Sequence, residues 1–107
     1  SGGNQQKVVI SKWLCKKSKV FIFDEPTVGI DVNAKREIYK LLEKLTMEGN
    51  SIILISSYLP EVLGLANRVV VFSEGKVAGE ISSDEIRNIP HNELEKKAVL
   101  LASGIKS

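Results

Sequence analysis

Two neighbouring acids close a short apolar run: Val20-Phe21-Ile22-Phe23 is followed by Asp24, Glu25 and Pro26. A continuous apolar run of this length reads as a buried strand, and Pro26 stops it from continuing as a central one. The acids therefore belong at the strand's carboxyl end, the edge of a parallel α/β sheet where ligands bind. Asp24 is placed there to hold Mg2+, directly or through water, because a hard cation bridging phosphates prefers oxygen ligands and keeps much of its hydration. Glu25 is placed to act as general base on an attacking water, a task that needs a carboxylate within hydrogen-bond reach. The plain alternative is a solvated acid pair capping a loop, and the run with its two acids does not by itself decide between them.

A second group of residues lies upstream. Ser1-Gly2-Gly3-Asn4-Gln5-Gln6-Lys7 opens a segment in which Val9, Ile10, Trp13 and Leu14 fall on one helical face, so a helix is expected from about Gly3 to Lys16. Glycines at its start let an anion approach the backbone. The unpaired N–H groups there carry partial positive charge, and the Ser1 hydroxyl adds a donor, so this is a candidate phosphate site. Taken alone, the same residues would read as a loose terminus before an ordinary helix.

The elements that must position these residues alternate between helical periodicity and short apolar runs, the pattern of an α/β fold. Asp31 is a helix N-cap, Ile38, Leu41, Leu42 and Leu45 follow on one face, and Gly49 ends the element. Residues 51–56 form the next buried strand. Pro60 sits in the first turn of a short helix with Leu59, Val62, Leu63 and Ala66 inward. Residues 69–72 and 77–81 flank Ser73-Glu74-Gly75-Lys76 as an antiparallel hairpin. Ser82 with Glu85 forms a capping-box pattern for a helix ending before Pro90, and Asn92 with Glu95 resembles another for a terminal helix reaching about Ser103. In that last helix Leu94, Ala98 and Leu101, with Val99 and Leu100 nearby, call for a packing partner. His91, the single histidine, is expected in an exposed loop.

Composition narrows the function classes. The 107 residues are 43% hydrophobic and 26% charged, with a formal net charge of +2, a globular balance that offers no general case for nucleic acid. Lys12, Lys16, Lys17 and Lys19 read as a solvated face. No apolar run approaches the length of a membrane span, and no signal peptide is visible, although a chain opening without methionine is expected to have lost its natural start. Cys15 is the lone cysteine, so no internal disulfide forms and a cytosolic setting is expected; at the end of an apolar helix it reads as a packed thiol.

Order and spacing together carry a resemblance. The sequence is similar to the ATPase domains of ATP-binding cassette (ABC) proteins over its whole length: Ser1 to Gln5 resembles the family's signature motif, Val20 to Glu25 its Walker B strand with the catalytic glutamate, Thr27-Val28-Gly29-Ile30-Asp31 its D-loop, and Ser56-Ser57-Tyr58 its switch loop. Ser-Gly-Gly-Asn-Gln-Gln-Lys, Asp-Glu-Pro-Thr-Val-Gly-Ile-Asp and the segment from Ser56 to Gly64 resemble more narrowly the second cassette of tandem importers for ribose, galactose or xylose.

The resemblance implies a partial P-loop NTPase fold of three layers, parallel strands with helices plus the hairpin and terminal helices, in one partial domain: the signature helix at 1–17, the Walker B, D-loop and switch region at 18–67, and the hairpin with its helical tail at 68–107. Three buried strands besides the hairpin are expected. It implies ATP and Mg2+ as cofactors, with Ser1, Gly2, Gly3 and Gln5 completing a partner cassette's ATP site and Asp31 linking the two cassettes. Membrane permease subunits are implied as partners, a periplasmic or extracellular sugar-binding protein acts indirectly, and the location is the cytoplasmic face of the plasma membrane.

Two departures limit the transfer. Ser57 stands where the family usually has a histidine; serine supplies a hydrogen bond but not the charge that helps hold the γ-phosphate and water. The Walker A pattern is absent, since Gly75-Lys76 is the single Gly-Lys pair, precedes Val77 and lies in the hairpin. The expectation is a fragment of a sugar-transporting ATPase that binds ATP weakly by itself and self-associates through unpaired strand edges. A second reading is a non-hydrolysing cassette that only completes its partner's site. A third, a non-transport ABC ATPase of the DNA-repair or chromosome type, would bring coiled-coil insertions and a switch histidine, and the sequence has neither.

Overall fold

The computed structural model describes residues 20–104. The helix expected near residues 3–16, with the candidate residues Ser1, Gly2, Gly3 and Gln5, lies outside them. The described chain divides into two compact units, one ending at Ser57 and one beginning at Tyr58.

In the first unit β1 (Val20–Asp24) and β2 (Ser51–Ile55) pair in parallel, from Val20 opposite Ser51 to Asp24 opposite Ile55. The connection is α1 (Val32–Met47), as a parallel pair requires a long crossover. Asp31 starts α1 by accepting the Ala34 N–H at 2.8 Å, the N-cap bond expected from its residue type. Ile38, Leu42 and Leu45 form its buried stripe, and α1 lies against β2. At its other end Gly49 takes a φ of 92°, and Asn50 donates to the Leu45 carbonyl from both its amide and its side chain.

The strands depart from the expectation of full burial. Phe21 and Phe23 are buried, their rings parallel with centroids 6.1 Å apart, whereas Val20, Ile22, Ile53 and Ile55 remain 47–65% exposed. A run that is apolar at every position has the composition of a strand covered on both faces, and successive side chains alternate between those faces. The described residues bury only one of them.

The second unit holds α2 (Leu59–Leu65), the antiparallel pair β3 (Val69–Ser73) and β4 (Lys76–Ile81), α3 (Ser83–Asn88) and α4 (His91–Ser103). Leu63, Val69, Val71, Ile81, Leu94 and Ala98 make its core, with Leu59, Val62, Ala66 and Leu101 packed against them. The hairpin turns through Glu74 and Gly75, both at positive φ, as a two-residue loop compatible with strand twist demands. A bulge follows between Val71 and Phe72. Gly79 leaves room for α4, since a Cβ there would stand 2.8 Å from the Leu101 side chain.

The Ser82–Glu85 capping box forms in both directions, at 3.2 and 3.1 Å. The second box does not: α4 begins at His91 behind Pro90 without a side-chain cap, because Pro90 already fixes the entry to the helix and the Glu93 and Leu94 amides bond its carbonyl. His91 is exposed as expected, but is helical. The expected count of three buried strands also fails among the described residues, where one parallel pair accompanies the hairpin. No described helix is long and apolar enough to cross a membrane.

Candidate functional site

The parallel register determines what meets at the carboxyl rim. Because Asp24 pairs with Ile55, the residues after each strand emerge side by side: Glu25 from β1, Ser56 and Ser57 from β2. The Glu25 amide extends this pairing beyond the strand by donating to the Ile55 carbonyl at 2.7 Å. Asp24 and Ser57 are exposed, and Glu25 and Ser56 half-buried.

At Glu25 the chain leaves the strand with a φ of 50°. This left-handed conformation is uncommon for a residue with a side chain, and more so before proline. Pro26 and Thr27 then turn inward and are buried, with Thr27 only 6% exposed. The turn is closed by hydrogen bonds from Val28 N–H to the Glu25 carbonyl and from Ile30 N–H to the Thr27 carbonyl, both at 3.4 Å. Gly29 completes it at a φ of 76°, and Asp31 follows as the cap of α1. One Asp31 carboxylate oxygen is thus engaged in the cap.

The structure thereby brings Asp24, Glu25 and Ser57 to one rim. No group of three or more His, Cys, Asp or Glu side chains able to cage a metal exists among the described residues. A single exposed carboxylate suits a cation that takes its other ligands from phosphate and water, so Asp24 fits Mg2+ in that mode.

Sequence reasoning missed three features. The left-handed backbone at Glu25 has a faint signal in strand parity: residues 21, 23 and 25 share a face, and a carboxylate continuing the strand would join two buried phenylalanines. The burial of Thr27 has none in the sequence. Glu61, 5% exposed within α2, looks from sequence like an ordinary first-turn acid.

No family model matches the chain. Curated relatives do. The ribose import ATP-binding protein RbsA of Clostridium perfringens (strain 13 / Type A) is 59% identical over 85 residues, which is 79% of this chain and 17% of the relative. The xylose import ATP-binding protein XylG of Geobacillus kaustophilus is 50% identical over 106 residues, 99% of this chain and 20% of the relative. The chain belongs to the ABC ATPase family. Solved cassettes agree with that placement in their fold: a nucleotide-free ATP-binding cassette from an ABC transporter superposes with a TM-score of 0.78 at 24% identity, covering 100% of this chain and 41% of that one. The ADP conformation of another ABC transporter cassette gives 0.76 at 26% identity, covering 97% and 40%. This ABC ATPase chain spans a fifth or less of the length of those curated relatives, as the shares of 17% and 20% show.

Proposed function

We propose that the chain is the Walker B, D-loop and switch portion of one cassette in an ATPase that energises monosaccharide import. The juxtaposition of Asp24 and Glu25 with the Ser56–Ser57 segment at one rim carries this reading, and the sugar-import names of the relatives supply the substrate class. Asp24 holds the cation; Mg2+, when bound with ATP, supplies positive charge to the transferred phosphoryl group. Glu25 accepts the proton of the attacking water, and the Ser57 hydroxyl gives that water or the phosphate a hydrogen bond. Ser1, Gly2, Gly3 and Gln5 complete the ATP site of a partner cassette, and the loop ending at Asp31 lies between the two cassettes. Both units form a single partial domain within a longer chain that works on the cytoplasmic face of the membrane against permease subunits and, through them, a sugar-binding protein. The isolated 107 residues associate with one another.

The test is Glu25→Gln in the full-length protein, which keeps size and hydrogen bonding but removes the base. Phosphate release falls by roughly a hundredfold or more if Glu25 takes the proton. Unchanged release favours the second reading, a cassette that only completes its partner's site, for which the neutral Ser57 is the specific observation.

A further inference from the structure

The turn after β1 is fixed from both sides. Upstream, the Glu25 amide extends the strand ladder by donating to the Ile55 carbonyl at 2.7 Å, so the chain is placed as far as the Glu25 Cα. Two residues downstream Thr27 is only 6% exposed, although a polar residue in a loop ordinarily stays in water. Between these points the backbone turns left-handed, with a φ of 50° at Glu25. An extended Glu25 would instead follow Phe21 and Phe23 onto the buried face of the strand. Left-handed backbone is disfavoured roughly tenfold for a residue with a Cβ, and glutamate lacks the short polar side chain that lets asparagine tolerate it.

Rotation about the Glu25 N–Cα bond carries the side-chain stem and the outgoing chain together, because Cβ and the carbonyl carbon are both attached to Cα. The direction in which the chain leaves Glu25 therefore sets where its carboxylate begins. Pro26 is buried as well, but its ring pushes the residue before it toward extended backbone and so works against the turn. Thr27 is in place to hold it. It lies inside one turn, closed by the Val28 N–H on the Glu25 carbonyl, and opens the next, where its own carbonyl accepts the Ile30 N–H, both at 3.4 Å. We propose that Thr27 is a positioning residue for Glu25: its burial fixes the exit of the chain, the exit fixes φ, and φ sets the direction of the carboxylate stem at the rim. The burial of Thr27 offsets the strain at Glu25. This inference deepens the proposed function and rests on Glu25 being the base.

Two measurements on the full-length protein test it. The first is a double-mutant cycle on phosphate release. Thr27→Gly removes the buried side chain and is expected to lower kcat about tenfold at unchanged KM for ATP, with Thr27→Ser recovering most of the loss. In the Glu25→Gln background the same change is expected to alter the residual rate by less than about twofold, since a residue that acts through Glu25 has no carboxylate left to aim. An equal loss in both backgrounds means a general structural role and overturns the proposal. The second measurement reads urea midpoints and needs no turnover. With Thr27 in place, Glu25→Asn is expected to unfold at higher urea than Glu25→Gln, and with Thr27→Gly added to each the two midpoints coincide. A difference that survives Thr27→Gly, or no difference with Thr27 in place, overturns the hold. Where Thr27→Gly does not fold, Thr27→Ala replaces it in both cycles. Full turnover in Glu25→Gln removes the base, and the midpoints still decide whether Thr27 holds the turn.

Discussion

A carboxylate at the rim of a sheet can act on water only if the chain leaves the strand before burying it. Asp24 and Glu25 solve this differently: Asp24 is the last strand residue, on the open face, whereas Glu25 needs a backbone turn to escape the buried one. Their neighbour Ser57 is exposed and neutral. Adding charge at that position should help hold a γ-phosphate and its attacking water, so Ser57→His in the full-length protein is expected to raise phosphate release several-fold below about pH 6.5, where imidazole is charged, and less above it. A pH–rate comparison of the two proteins checks this; parallel profiles would show that charge at residue 57 is irrelevant. The acids and the serine were legible in the sequence because Pro26 ends the strand and residue types are chemistry. The φ of Glu25 was not, because a glutamate has no residue-type preference for left-handed backbone and the residue before proline is ordinarily extended.

Among the elements, the local signals were read well where they are chemically self-contained. The Asp31 cap and the Ser82–Glu85 box both form, since each joins side chains and amides three residues apart. The Asn92–Glu95 pattern failed because Pro90 supplies the entry geometry instead. Glu85 has a second tie that no local pattern shows: Lys97 of α4 pairs with it. The Lys97 ammonium, followed by the Ser82 amide, holds the Glu85 carboxyl below its ordinary value of about 4.5. A carboxyl depressed in the folded state stabilises it at neutral pH, and that contribution fades as pH falls below 4.5 through the folded value. Glu85→Gln is therefore expected to be less stable than the parent at pH 7, with the two denaturation midpoints converging as the pH is lowered through the folded value. A gap that persists in acid would assign the loss to the cap geometry alone. The hairpin offers an independent test. Glu74 carries a side chain at a φ of 52° where asparagine is better tolerated, so Glu74→Asn should stabilise the chain by about 0.5–1 kcal/mol, read as a higher denaturant midpoint at unchanged slope.

For the whole molecule the open face of β1 and β2 matters most. Val20, Ile22, Ile53 and Ile55 leave an apolar stripe exposed on the parallel pair, which has two strands among the described residues, and a parallel sheet is ordinarily covered on both faces. Light scattering of the 107-residue chain is expected to show association that grows with concentration, and Ile22→Lys with Ile53→Lys should weaken it; a strict monomer at high concentration would contradict the proposal. The sequence alone determined the order of the described elements, the helix caps at Asp31 and Ser82, the hairpin turn and the acids at a strand end, because each depends on residues close together in the chain. Tertiary structure decided which side of β1 is buried, that Thr27 and Glu61 lie inside, and that Glu25 turns left-handed at the rim. Those outcomes depend on neighbours supplied by distant segments, and an apolar run reads the same whether one of its faces is covered or both.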